Sequence, residues 1–186
     1  MHNETLDSRK IEQASLEQEY EQCVFQNCDF SDLDLRDVSF EECLFTNCNL
    51  TNAKIKNTAF KDVTFNECKL MGIHFANANT FLLEMRFNNC QLDYTSFYKL
   101  KLPKINFTDC SLRDSDFVEA DIVGADFSGC DMYGTSFERT NLSKADFRTA
   151  SNYNLDPSLN TMTGAKFTAY GLAGLVSKHK LDISMS

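Results

Sequence analysis

A chain of 186 residues with 42% apolar content is long enough for one folded domain and apolar enough to bury a core. A net charge of −9 leaves no basic face long enough to hold a nucleic acid. No apolar run reaches 18 residues and residues 1–21 are polar and acidic, without the pattern of a secretory leader, so a cytoplasmic protein is expected.

Residues 1–21 are predicted as an acidic leader or cap. Leu6, Ile11, Leu16 and Tyr20 could line one edge of a short helix, although their spacing is irregular. The alternatives are a partly ordered leader and a cap over the first layer of a β structure beginning near residue 22, because an open β end must be covered. The acidity is concentrated at this end: residues 1–45 hold 12 acids and 3 bases, whereas residues 46–186 hold 15 of each.

From residue 22 to about 150 the chain follows a five-residue grid. Large apolar centres run from Phe25 through Phe30, Leu35, Phe40 and Phe45 to Phe75, and then from Leu82 and Phe87 every fifth residue to Phe147. Of 16 Phe, only Phe81 and Phe167 fall off it. All eight cysteines stand two residues before a centre. Two inward positions two apart fit an extended segment. An odd period would reverse the faces of a straight strand at every unit, so the chain must bend once per pentad. Cys28, Cys48 and Cys68 recur every 20 residues, as do Cys90, Cys110 and Cys130. Four pentads therefore make one turn of an all-β, four-sided parallel β-helix of about six coils, roughly 29 Å tall at about 4.8 Å per coil. The cysteines are expected to be buried, reduced core fillers. No C-x-x-C pair occurs and His2, His74 and His179 are scattered, so no metal or cofactor is expected.

The grid slips by two residues between Phe75 and Leu82. Taking Leu82 as a centre keeps the columns aligned, with a two-residue bulge near 76–81 and Phe81 pointing outward. Phe81 is then either a core irregularity or a contact knob for a partner. Further on, Asp116, Asp121, Asp126 and Asp131 precede four successive centres and would ring one coil. Residues 109–138 carry eight acids against Arg113 alone, while Lys99, Lys101 and Lys104 interrupt the negative field.

Residues 151–186 leave the grid. Asp156-Pro157 marks a turn. Gly164 to His179 reads as a helix, with Phe167, Tyr170, Leu172, Leu175 and Val176 on one face and the basic Ser177-Lys178-His179-Lys180 at its C-terminal end. That helix at least caps the last coil, and its surplus apolar area points to a two-fold dimer through the same residues.

Ala125-Asp126-Phe127-Ser128-Gly129 and Ala145-Asp146-Phe147-Arg148-Thr149 match the motif small–(Asp/Asn)–(Leu/Phe)–X–X, and the chain resembles the pentapeptide-repeat family over residues 23–150. The resemblance implies a right-handed coil. It extends to topoisomerase-protecting members, of the Qnr-type quinolone-protection and microcin-immunity kinds. The latter are similar in the tail Asn154-Leu155-Asp156-Pro157-Ser158-Leu159-Asn160 and the following Gly171-Leu172. The family's own motif also accounts for Asp before each centre. By resemblance the expected function is non-enzymatic: a DNA-mimic binder of bacterial DNA gyrase or topoisomerase IV that protects against quinolones or a gyrase-targeting toxin. Duplex DNA carries a charge about every 1.7 Å, and Asp116, Asp121, Asp126, Asp131, Asp146 and Glu119, with Phe81, are the candidate partner surface. The alternative is a scaffold or adaptor for another protein without a topoisomerase role. An enzyme is not expected, because no nucleophile–base arrangement or phosphate loop can be assembled and a filled rod has no pocket.

Overall fold

The computed structural model describes residues 1–8, 10–179 and 181–182. The chain winds as a four-sided parallel β-helix. One wall is a six-stranded parallel sheet of β1 (Thr5–Asp7), β3 (Val24–Gln26), β5 (Leu44–Thr46), β7 (Val63–Asn66), β8 (Met85–Asn88) and β9 (Asn106–Thr108), in that order. A second wall carries β2 (Glu19–Glu21), β4 (Ser39–Glu41) and β6 (Ala59–Lys61). The remaining walls and the upper layers hold the same register as isolated parallel bridges, as in Ser96 with Asp116 and Asp116 with Ser136.

The pentad dictates this shape. Its centre and the residue two before it point inward, and the second residue after the centre turns the corner. At that corner the backbone has positive φ almost without exception, from Asp32, Asp37 and Glu42 to Lys144. Asp, Asn and Gly tolerate this left-handed conformation best, and they fill most corners of the lower half. Gly134 is needed twice over: its φ is +73° and a Cβ there would stand 2.2 Å from Asp114 Oδ1 in the coil below.

The core is a set of stacked columns. Phe25, Phe45, Phe65, Phe87, Phe107, Phe127 and Phe147 lie directly above one another, with centroids 4.5–5.5 Å apart. The Phe75–Phe97–Phe117–Phe137 column meets it edge-on. Offset stacks and edge contacts are the arrangements that aromatic quadrupoles favour.

The second inward position explains the cysteines. All eight are free and buried. In the column Cys28–Cys48–Cys68–Cys90–Cys110–Cys130 each thiol donates to a carbonyl of the coil below, such as Cys48 to Phe25 (3.4 Å) and Cys110 to Phe87 (3.5 Å). Elsewhere Ser115 and Thr140 do the same to Leu92 and Phe117, both at 2.8 Å. The position calls for a small side chain with a donor. Burial pushes the Cys43 thiol up to about 11. Neighbouring thiols and burial also raise Cys68 and Cys110. All eight thiols are core material.

The fold departs from the sequence reading in three places. Residues 1–21 are neither a leader nor a helix edge but the first coil: Leu6 pairs with Phe25 and Tyr20 with Phe40, and Leu6, Ile11 and Tyr20 are buried. The irregular spacing is the grid itself with one residue missing between Leu16 and Tyr20. Next, Leu82 is no centre. It is exposed and turns a corner with φ 56°. Asn79 keeps register with Ala59 and Met85 resumes with Val63, so the extra residues lie after Thr80, and half-buried Leu83 packs toward the core. Finally, Gly164 to His179 is not one helix. Lys166 still bridges Asp146, and Phe167 stacks on Phe147 at 5.1 Å as one more core layer. Helix follows only over residues 169–179, with a single α-turn, α1 (Ala173–Val176), between 3-10 turns. Lys180 lies outside the described residues.

Candidate binding surface

With the interior filled, the outside of the rod is what remains for function. Open clefts mark it, and among the described residues no His, Cys, Asp or Glu cluster is placed to hold a metal. No helix is long and apolar enough to cross a membrane.

The aspartates before the centres are built into the wall. Asp126 Oδ1 accepts from the Ser128 N–H (3.0 Å) and hydroxyl (2.5 Å), and Asp116 Oδ1 accepts from the Val118 N–H (2.8 Å). Asp29 with Ser31 and Asn49 with Thr51 repeat the motif below. A short carboxylate or amide thus reaches over its own centre to the amide two residues on, the Asx turn. The bond holds the side chain flat and half-buried.

Asp116, Asp121, Asp126 and Asp131 do ring one coil. They bridge to Ser136, Asn141, Asp146 and Ser151 respectively, so each stands on a different wall. Stacking also brings cations from other coils to some acids in and beside this ring. Asp131 meets Arg113 (Nε 2.7 Å) and Asn152 (2.8 Å). Asp146 holds Arg148 and Lys166 at 2.7 and 3.5 Å. Glu119 sits between Lys99 at 3.4 Å and Arg139 at 2.7 Å. Counting charge between residues 109 and 138 saw only Arg113. Lys99, Glu119 and Arg139 are 20 apart, so the circuit length was the signal that would have found that ladder. Asp116, Asp121 and Asp126 have no ion pair among the described residues.

These pairings set the acid response. The Arg148 guanidinium holds Asp146 down to about 2, as Arg36 does Asp34 and Lys178 does Asp156. Arg139 lowers Glu119. Burial opposes the shift at Asp131, but Asn152 and Arg113 still keep it low. A carboxylate depressed in the folded state contributes stability above its unfolded value of 3.8, and that stability is lost as pH falls through the folded value. Stability should therefore be flat from neutrality down to about pH 4 and fall between about pH 4 and 2. Urea midpoints at constant ionic strength check this, and Asp146→Asn should make the fall shallower. A decline starting above pH 5 would contradict the assignment.

Phe81 projects from the corner after Thr80 and is 69% exposed, with its N–H bonded to Asn79 Oδ1. Exposed Leu82 lies beside it. At the C-terminal end the five predicted interface residues divide. Phe167 and Leu175 pack on the core and Val176 is half-buried, whereas Tyr170 (77%) and Leu172 (50%) are exposed. Tyr153, which sequence reading passed over, anchors the segment. Its hydroxyl donates to the Gly171 carbonyl (2.9 Å) and its ring packs on Phe147 and Phe167.

A filled rod of five-residue sides with a patterned outer wall defines a class of repeat proteins. The chain belongs to the pentapeptide-repeat family: the family model for the pentapeptide repeat region matches residues 18–97 and 81–153. Among solved structures, a trypsin-treated variant of QnrB1, a plasmid-mediated fluoroquinolone resistance protein, is 21% identical, with a TM-score of 0.66 over 97% of this chain and 99% of that one. A second trypsin-treated QnrB1 variant gives the same score over 98% and 99%. At this identity the likeness establishes the fold. HetL from the cyanobacterium Nostoc sp., a pentapeptide repeat protein involved in heterocyst differentiation regulation, is more distant, with 18% identity and a TM-score of 0.41 over 89% of this chain and 81% of that one. No curated protein sequence matches the chain.

Proposed function

We propose that this protein is a non-enzymatic, cytoplasmic binding protein that acts on bacterial DNA gyrase or topoisomerase IV and protects it from quinolones or a gyrase-targeting toxin. The likeness to QnrB1 along essentially the whole of both chains carries this reading. The charge of −9 supports it, since a basic DNA-binding saddle would attract the rod and lose that attraction as salt rises. Asp116, Asp121 and Asp126, without cationic partners, supply the free negative charge, and Phe81 the apolar contact. The working form is a homodimer joined through the exposed Tyr170 and Leu172.

A gyrase supercoiling assay with ciprofloxacin, titrated with the protein, tests it. Supercoiling should be restored at micromolar protein. Replacing Asp116, Asp121 and Asp126 together with Asn should weaken protection at unchanged stability, because Asn keeps a short side-chain acceptor and these three hold no ion pair among the described residues; adding Asp131→Asn should weaken it further at the cost of the Arg113 pair. One observation favours the scaffold reading instead: the four aspartates face four directions, so a partner lying along one wall meets only one of them. Neither protection nor inhibition at micromolar protein would decide for the scaffold.

A further inference from the structure

The wall that carries β2, β4 and β6 is interrupted above its next layer, at Asn79. One layer higher its ladder is regular: the Asp121 N–H donates to the Leu100 carbonyl (2.8 Å), the Leu102 N–H to the Asp121 carbonyl (2.9 Å) and the Lys104 N–H to the Val123 carbonyl (2.8 Å). At the layer beneath, all three equivalents are missing among the described residues. The Ala78 carbonyl and the N–H groups of Thr80 and Leu82 have no backbone partner, nor do the Lys101 N–H and the carbonyls of Lys101 and Pro103. Asn79 bridges down to Ala59 but not up to Lys101, whereas Lys101 bridges up to Asp121. The cause lies in the count. Five residues separate Phe60 from Phe65, but seven separate Thr80, in Phe60's register, from Phe87. The extra length pulls the strand away from the coil above. Lys101 is accordingly exposed where its counterparts Asp121 and Asn141 are half-buried.

The opening presents half-buried Leu83 and exposed Pro103 over the buried side chains of Met85, Leu102 and Ile105, with Glu84, Arg86, Asn106 and Lys104 around its rim. Arg86 nearby is already held by Asp62 and Glu84. Lys101 and Lys104 have no ion pair among the described residues, unlike Lys99, which pairs with Glu119. Unpaired strand amides and carbonyls, an apolar floor and two free cations together ask for one kind of occupant. We propose that the gap is a docking site for an extended segment of a partner protein in which apolar and acidic residues alternate. The segment adds as a strand along residues 101–103. Its apolar side chains lie on Leu83 and Pro103, and its carboxylates reach Lys101 and Lys104. Proline at position 103 suits such an edge, because it has no N–H to leave unpaired. The inference goes beyond the proposed function. It rests on the broken ladder with its apolar lining and free cations, and stands whether or not gyrase is the partner.

The probe is a fluorescent eight-residue peptide of alternating Val and Glu, read by polarisation and by amide hydrogen exchange on the full chain. The peptide should bind, and the Lys101 amide should gain protection while the Asp121 amide in the closed ladder is unchanged. Lys101→Glu combined with Lys104→Glu, both exposed, should weaken binding by about tenfold or more. Deleting Leu83 and Glu84 restores the 20-residue circuit and should close the site. If the deleted chain fails to fold, the charge-reversed variant decides alone. No binding at about millimolar peptide, equal binding by the folded deletion or the charge-reversed variant, or protection of amides on another wall would overturn the proposal. Protection of the Lys101 amide that rises with protein concentration in the absence of peptide would also overturn it, assigning the gap to a second copy of the chain.

Discussion

Phe107→Ala is expected to destabilise the rod by about 3–5 kcal/mol, with a loss of roughly 10 °C in Tm. Phe107 is fully buried. Its ring stacks on Phe87 and Phe127 at 5.3 and 5.5 Å and meets Phe97 and Phe117 edge-on. Truncation removes all four contacts and leaves a void that the walls cannot close. Parallel ladder bonds above and below fix the coil spacing, and Cys110 and Cys130 tie adjacent carbonyls. Collapse in one layer would strain its neighbours, which is why stability in a solenoid is shared between them. Phe167→Ala is the control. Phe167 stacks only on Phe147, touches Tyr153 at a tilt and is half-buried, so its cost should be less than half as large. Urea unfolding of both variants reads the difference. Equal costs would mean that the interior is not the closed column described above.

Gly174→Ala should undock the C-terminal segment at a cost of about 1–3 kcal/mol. A Cβ at Gly174 would stand 2.5 Å from the Tyr153 carbonyl oxygen and 2.7 Å from two of its ring carbons. Tyr153 cannot retreat, because its ring is wedged against Phe147 and Phe167. The helix must move instead, breaking the bonds from the Leu155 N–H to the Gly174 carbonyl and from the Tyr153 hydroxyl to Gly171. Faster hydrogen exchange at the Leu155 amide reports the undocking. Leu172→Glu provides the contrast: the side chain is exposed, so the unfolding midpoint should hold, while sedimentation should show any dimer formed as proposed above reduced to monomers. A Gly174→Ala chain with parental stability and parental exchange at Leu155 would show that the segment does not cap the rod.

Much of this was legible without coordinates because a solenoid converts sequence spacing directly into height. The thiol column from Cys28 to Cys130 and the Phe column above Phe25 follow from a 20-residue circuit, and both stand in register. What went astray did so where the count changed. One missing residue before Tyr20 disguised the first coil as a helix edge. Two added residues could be placed on either side of Thr80, and an apolar Leu82 made the wrong side attractive. Phe167 fits both a helix face and a core column. Its stacking on Phe147 and the bridge from Lys166 to Asp146 distinguish them.

The candidate surface was less legible, for an electrostatic reason. Charge counted along the chain sums neighbours in sequence, whereas a coil sets each side chain against residues one circuit away. Asp146 with Lys166 and Glu119 with Lys99 and Arg139 are neutralised across layers, and the Asx turns spend carboxylate lone pairs that a composition count leaves free.

The sequence alone therefore determined the path of the backbone, because inward apolar positions and left-handed corners recur at intervals that only a four-sided coil satisfies. Tertiary structure alone decided where that path is interrupted, which acids remain unpaired, and how the ends are closed. Those depend on hydrogen bonds and ion pairs between successive turns, which take shape only once one turn has been laid on another.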